Sequence, residues 1–124
     1  MQERTNMRKS KIFATLLLAG MLATSAFAST SSNNVKNGSD TYGTVFINVK
    51  TTSIYAETTA NSSGSSSSDY VSVAIDGATA TQNVGASYTT AWQMKTGSFS
   101  GTHTADAEIY RSGKLAVGST AANP

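Results

Sequence analysis

The chain has no cysteine, which excludes a disulfide framework, a thiolate metal site, a cysteine nucleophile and a lipid attached through sulfur. Histidine occurs once, at His103, so multi-histidine metal clusters are excluded and one side chain is left with an ordinary pKa near neutrality. Proline occurs only as Pro124, and charged residues make up 13% of the chain, against roughly 25% in an average domain. Long hydrophobic runs are also missing: the one apolar stretch, Ile12 to Leu22, falls short of the roughly 20 residues needed to span a bilayer. No stretch after Ala28 repeats apolar residues at i, i+3 and i+4 over three turns, and the abundant Ser and Thr are poor helix interiors. At 124 residues there is room for one domain.

The apolar stretch is preceded by Arg4, Arg8, Lys9 and Lys11 and followed by the small-residue exit Ala26-Phe27-Ala28. A basic region, a short apolar region and an A-x-A exit predict a secretory signal peptide cleaved after Ala28. The formal charge of +2 and the pI near 9.0 belong to this segment. After Ala28 the balance is five basic residues (Lys36, Lys50, Lys95, Arg111, Lys114) against six acidic ones (Asp40, Glu57, Asp69, Asp76, Asp106, Glu108), a net −1. Nucleic acid is therefore not an expected partner. The exported form is expected to have no membrane span and to reside outside the cell.

About a third of the exported chain is Ser or Thr. Residues 29–41 carry no large apolar side chain but Val35 and predict a disordered polar leader, because ordering a residue costs about 1–2 kcal/mol that polar side chains do not recover by burial. Period-two alternation follows. Val45, Ile47 and Val49 oppose Thr44, Phe46, Asn48 and Lys50; Ile54 and Ala56 oppose Tyr55 and Glu57; Val71, Val73 and Ile75 oppose Tyr70, Ser72 and Asp76. Such alternation is the mark of half-buried strands.

Residues 61–68, NSSGSSSS, read as a flexible connection, and Asp76-Gly77 as a type I′ turn with a return strand over residues 78–84. Tyr88, Thr90, Trp92 and Met94 share a face; His103, Ala105, Ala107 and Ile109 oppose Thr104, Asp106, Glu108 and Tyr110; a turn at residues 111–114 leads into a last strand over Leu115 to Val117. The reading is all-β: a small antiparallel β-sandwich, Ig-like or related, of six to seven strands over residues 42–120, with 121–124 as a tail. Its core is Val45, Ile47, Val49, Ile54, Val71, Val73, Ile75, Trp92, Met94, Ile109, Leu115 and Val117. So small a core predicts modest stability, or support from a partner or calcium.

Catalytic patterns are weak. In Gly97-Ser98-Phe99-Ser100-Gly101 the centre of the G-x-S-x-G spacing is Phe99, so no nucleophile elbow is present, and His103 reads as a packed strand-end histidine. Asp106 and Glu108 lie two apart on one strand face. They are weak candidates for calcium or a glycosidase pair and read first as a solvated face. No cofactor is expected, and the chain is not read as an enzyme.

Phe46, Tyr55, Tyr70, Tyr88, Trp92 and Tyr110 are the candidate binding residues, since flat rings give contact area at low entropic cost. The expected function is a secreted, non-catalytic extracellular protein that binds a cell-surface glycan or protein, or takes part in an envelope assembly. The alternative is a secreted antimicrobial, bacteriocin-like protein acting on the envelope of competing bacteria; a near-neutral exported chain speaks against the cationic mode of membrane attack.

Overall fold

The computed structural model describes residues 29–85 and 87–124; the signal-peptide reading of residues 1–28 lies outside them. Eight strands follow in order: β1 (Thr30–Asn37), β2 (Asp40–Val49), β3 (Ser53–Ala60), β4 (Tyr70–Ile75), β5 (Thr81–Val84), β6 (Thr90–Thr96), β7 (His103–Arg111) and β8 (Lys114–Ala122). Among the described residues there is no helix, and so none long and apolar enough to cross a membrane. The all-β antiparallel class follows the alternation. All strands belong to one continuous sheet, ordered β5-β4-β7-β8-β1-β2-β3-β6, which is nearly closed.

The eighth strand, β1, comes from residues 30–37, which the composition assigned to a disordered leader. Its pairing explains the difference. β1 is antiparallel to β2 from Thr30↔Asn48 to Asn37↔Asp40 and meets β8 at Lys36↔Val117. Val35 is wholly buried; Ser31 Oγ bonds Thr120 Oγ1 at 2.5 Å, and the amides of Asn33 and Asn37 donate to the carbonyls of Ser119 and Leu115. A polar strand between two neighbours satisfies its backbone without burying much apolar surface. The two-residue loop Gly38-Ser39 between the paired Asn37 and Asp40, with Gly38 at φ 61°, makes the tight β1–β2 turn and was the available sequence signal.

Alternation places the core as expected for Val45, Ile47, Val49, Ile54, Val71, Val73, Ile75 and Ile109, all buried with Val35 and a lining of alanines from β3, β6, β7 and β8. Four expected core members lie elsewhere. Trp92 and Met94 are 55% and 53% exposed, because Ala91 opposes the buried Thr58 and turns its neighbour Trp92 to the outside. Leu115 and Val117 are only half-buried, because Ala116 and Gly118 take the inner positions of β8. Gly118 has to be small: a Cβ there would strike the Asn34 carbonyl of β1.

The sheet edges β5 and β6 meet through side chains. Gln93 of β6 accepts from Ile75 N at 2.8 Å and donates to the Thr79 carbonyl at 2.9 Å, while the Asn83 amide donates to the Thr90 carbonyl. The Asp76-Gly77 turn forms as read, with φ of 55° and 69° and Ala78 N bonded to Ile75 O, but β5 rejoins β4 only at Val73↔Thr81. The Gln93 side chain has taken the intervening donor. Short edge strands bridged by amides leave little free edge for unwanted pairing.

Residues 61–69 cross from β3 to β4 over one end of the sheet and are tied down rather than free. Asp69 accepts from Ser65 N at 2.8 Å and Ser112 N at 3.1 Å; Asn61 Nδ2 donates to the Thr41 carbonyl; Arg111 donates to Ser62 O and Asn61 Oδ1 at 3.2 Å each.

Among the described glycines, Gly43 is the most closely packed: a Cβ there would run into the Thr59 carbonyl and the Ile109 methyl. In urea unfolding, Gly43→Ala is expected to cost about 1–3 kcal/mol through overpacking. Ser32→Ala, at an exposed position of β1, is expected to stay within about 0.5 kcal/mol of the parent; equal effects would mean that the β2–β3 approach is looser than the structure has it.

Candidate functional site

β3 carries the centre of an aromatic face. Glu57 of β3 opposes Phe46 of β2 and Trp92 of β6; Tyr55 opposes Asn48 and Met94. Directly opposed residues share a face, so two rows result, Phe46–Glu57–Trp92 and Asn48–Tyr55–Met94, outside the core-facing Ile54 and Ala56. The Tyr55 and Trp92 rings stack diagonally, 6.1 Å between centroids and 27° between planes.

The Tyr55 hydroxyl donates to Glu57 Oε1 at 2.5 Å, and Thr59 Oγ1 donates to Oε2 at 3.3 Å. That hydrogen bond, with burial and the Glu57 charge behind it, pushes the phenol up to about 12. The ring is thus held in place as a neutral donor. Phe46 and Tyr55 are half-buried and Trp92 and Met94 exposed, so the face is both anchored and accessible.

The six aromatic candidates do not form one site. Phe46, Tyr55 and Trp92 make the platform; Tyr88, 50% exposed, precedes β6. Tyr70 and Tyr110 form a separate pair, directly opposed between β4 and β7, stacked at 5.6 Å and 10°. Tyr70 is buried, not exposed as the alternation suggested: its hydroxyl donates to Glu108 Oε1 at 2.9 Å, and burial first, then the Glu108 charge, raise its pKa. Met94, read as core, belongs to the platform. Its parity with Tyr88 and Trp92 was the signal that could have placed it.

Asp106 and Glu108 were read as a solvated face, yet both are buried. Glu108 is engaged by Tyr70. Neither Asp106 oxygen has a hydrogen-bond partner among the described residues, and desolvation, with the Asp76 charge as a smaller cause, pushes its carboxyl up to about 7. No group of three His, Cys, Asp or Glu residues that could hold a metal ion occurs among the described residues.

His103 pairs its Nδ1 with Asp76 Oδ2 at 2.7 Å and its Nε2 with the Ser100 carbonyl at 2.9 Å, and Phe99 meets the ring edge-on. Asp76 Oδ1 accepts from Thr104 N as well. The imidazole thereby clasps the residue 97–102 loop to the turn after β4, and its partners are a carboxylate and a carbonyl rather than a serine hydroxyl.

Compared with protein-family models, curated proteins and solved structures, the chain matches none of them.

The Asp106 carboxyl has a consequence for stability. The folded protein keeps its proton up to about 7, whereas the unfolded chain releases it near the ordinary 3.8. Stability from this group is therefore full below the ordinary value and is lost as pH rises through about 7. Asp69, whose pKa is lowered chiefly by the Ser65 N–H, works the other way and loses its contribution on acidification. Relative to the parent, Asp106→Asn is expected to gain several degrees in Tm between about pH 5 and about pH 8. Thermal unfolding at the two pH values reads this, and an equal offset at both would mean that the carboxyl is already ionised at pH 5.

Proposed function

We propose that this is a secreted, non-catalytic extracellular protein that binds a cell-surface glycan on the outer face of β2, β3 and β6. The observation that carries the reading is the make-up of that face. The rings of Phe46, Tyr55 and Trp92 alternate with the polar Asn48 and Glu57, Thr44, Thr59 and Thr90 border them, and no Leu, Ile or Val is present. A pyranose offers a flat apolar side and a rim of hydroxyls, which rings and flanking carboxamide or carboxylate groups match. Protein interfaces use rings and methionine too, but around a desolvated apolar centre; here Asn48 and Glu57 separate the rings.

The net charge of −1 after Ala28 favours a partner recognised by shape and stacking over an anionic polymer recognised by charge. A platform built on three paired strands is rigid before the ligand arrives, so little entropy is lost in ordering it. Export through the Arg4–Ala28 signal brings the domain to such polymers.

Sedimentation of the purified protein with insoluble bacterial cell-wall polysaccharide tests the reading. Trp92→Ala is expected to weaken retention about tenfold, the equivalent of about 1.4 kcal/mol for one stacked ring, while Lys114→Ala, exposed in the β7–β8 turn, is expected to bind as the parent does. Retention that is independent of Trp92 would show that the platform is not the binding face.

A further inference from the structure

Phe46 of β2, Glu57 of β3 and Trp92 of β6 stand directly opposite one another in one row across the sheet. Backbone bonds from Asn61 N to the Tyr42 carbonyl and from Lys50 N to the Ser53 carbonyl set the phase of the β2–β3 ladder. Those from Ala60 N to the Thr89 carbonyl and from Gly97 N to the Thr52 carbonyl set the phase of β3–β6. Phe46↔Glu57 is therefore a hydrogen-bonded pair, with Cα atoms about 5.5 Å apart, and Glu57↔Trp92 a non-hydrogen-bonded pair, at about 4.5 Å. The two rings are thus rooted about 10 Å apart, with a carboxylate between them.

That spacing selects among glycans. In a β-1,4-linked pyranose chain the linking bonds are equatorial, so the chain is an extended ribbon whose alternate units turn the same side down, and its disaccharide repeat is close to the length of this row. Chains joined α-1,4 or β-1,3 coil instead and do not repeat one side over that length. Along a strand, neighbours on one face are about 6.7 Å apart, longer than one sugar unit and shorter than two, so the ribbon runs across the strands.

Groups for the hydroxyls flank the row. Glu57 accepts from Tyr55 and Thr59, and a carboxylate has about four acceptor sites, so it can still take hydroxyls from a unit above it. Thr44 and Thr90 border the row on one side and Asn48 on the other, while the Tyr55 ring, stacked with Trp92, widens the surface at that end.

We propose that the row Phe46–Glu57–Trp92 binds three consecutive units of a β-1,4-linked glycan crossing the strands, the outer two stacked on the rings and the middle one hydrogen-bonded to Glu57. This rests on the glycan-binding reading and adds to it the linkage class, which chains of glucose and of N-acetylglucosamine share.

Trp92 is the sole tryptophan, so its fluorescence reports occupancy of the row. The probes are dimers, trimers and hexamers of β-1,4-linked glucose and of β-1,4-linked N-acetylglucosamine, with hexamers of α-1,4- and β-1,3-linked glucose for comparison. In at least one β-1,4 series the trimer is expected to bind about fivefold tighter than the dimer, and the two comparison hexamers about tenfold more weakly than the hexamer of that series. Phe46→Leu keeps an apolar side chain at this half-buried position but removes the flat ring; it is expected to lower the trimer to the affinity of the dimer, and Phe46→Tyr to bind as the parent does.

If the trimer is no tighter than the dimer, or Phe46→Leu binds it like the parent, the three-unit row is wrong. If an α-1,4 or β-1,3 hexamer binds as tightly as the β-1,4 hexamers, the linkage class is wrong. In both cases a response at Trp92 leaves the glycan reading standing. If no oligosaccharide moves Trp92, the row assignment fails; the glycan reading falls with it if cell-wall polysaccharide also leaves the protein in solution.

Discussion

Backbone pairing of β1 is the contact on which the rest of the molecule depends. Without it the sheet would divide into β5-β4-β7-β8 and β2-β3-β6, and β8 and β2 would each present an open edge. A strand with a single core side chain, Val35, holds the halves together because each N–H and C=O it satisfies would otherwise remain exposed or be buried unpaired. Gly118 and the side-chain bonds from Ser31, Asn33 and Asn37 fix how closely β8 approaches. Curvature then brings β5 and β6 near enough for Gln93 and Asn83 to bridge them.

The same arrangement assigns work to the two faces. Inside, alanines and glycines keep the interior narrow, so valines and isoleucines fill it, with the partly buried Tyr42 and Phe99 packed against them. Phe46, Tyr55 and Trp92 gather on the outside, over β2, β3 and β6. Tyr55 is held by Glu57 and the stack with Trp92 is supported from below by rigid pairing, which makes the face a preformed one. The loop of residues 61–69 closes one end of the same sheet and is held there by Arg111 through Ser62 and Asn61.

Polar groups in the wall of β7 follow a different logic. Glu108 is matched by Tyr70, whereas Asp106 has no hydrogen-bonding partner among the described residues and answers burial by keeping its proton. Two carboxyls two residues apart thus differ in their surroundings: the Tyr70 hydroxyl, diagonal to Glu108 across the β4–β7 pair, reaches Glu108, and no hydroxyl of the described residues reaches Asp106. His103 adds a third polar contact, joining the residue 97–102 loop to the turn after β4.

Alternation of Val45, Ile47 and Val49, of Val71, Val73 and Ile75, and of Ala105, Ala107 and Ile109 was enough to establish the all-β class and most of the core, because period-two burial is a local property of a strand. The absence of cysteine and the single histidine bounded the chemistry in the same way. Local pattern could not show that residues 30–37 would be ordered, since their stability comes from partners as distant in sequence as Thr120 and Leu115. Nor could it tell which face of β6 would be buried, because Trp92 and Met94 outweigh Ala91 in hydrophobicity yet Ala91 is the one that lies inside, opposite the buried Thr58. Which aromatic residues became a platform, which became a buried stack, and which carboxyl a tyrosine hydroxyl reached were likewise decided by cross-strand register, a long-range quantity that a one-residue shift would have reversed.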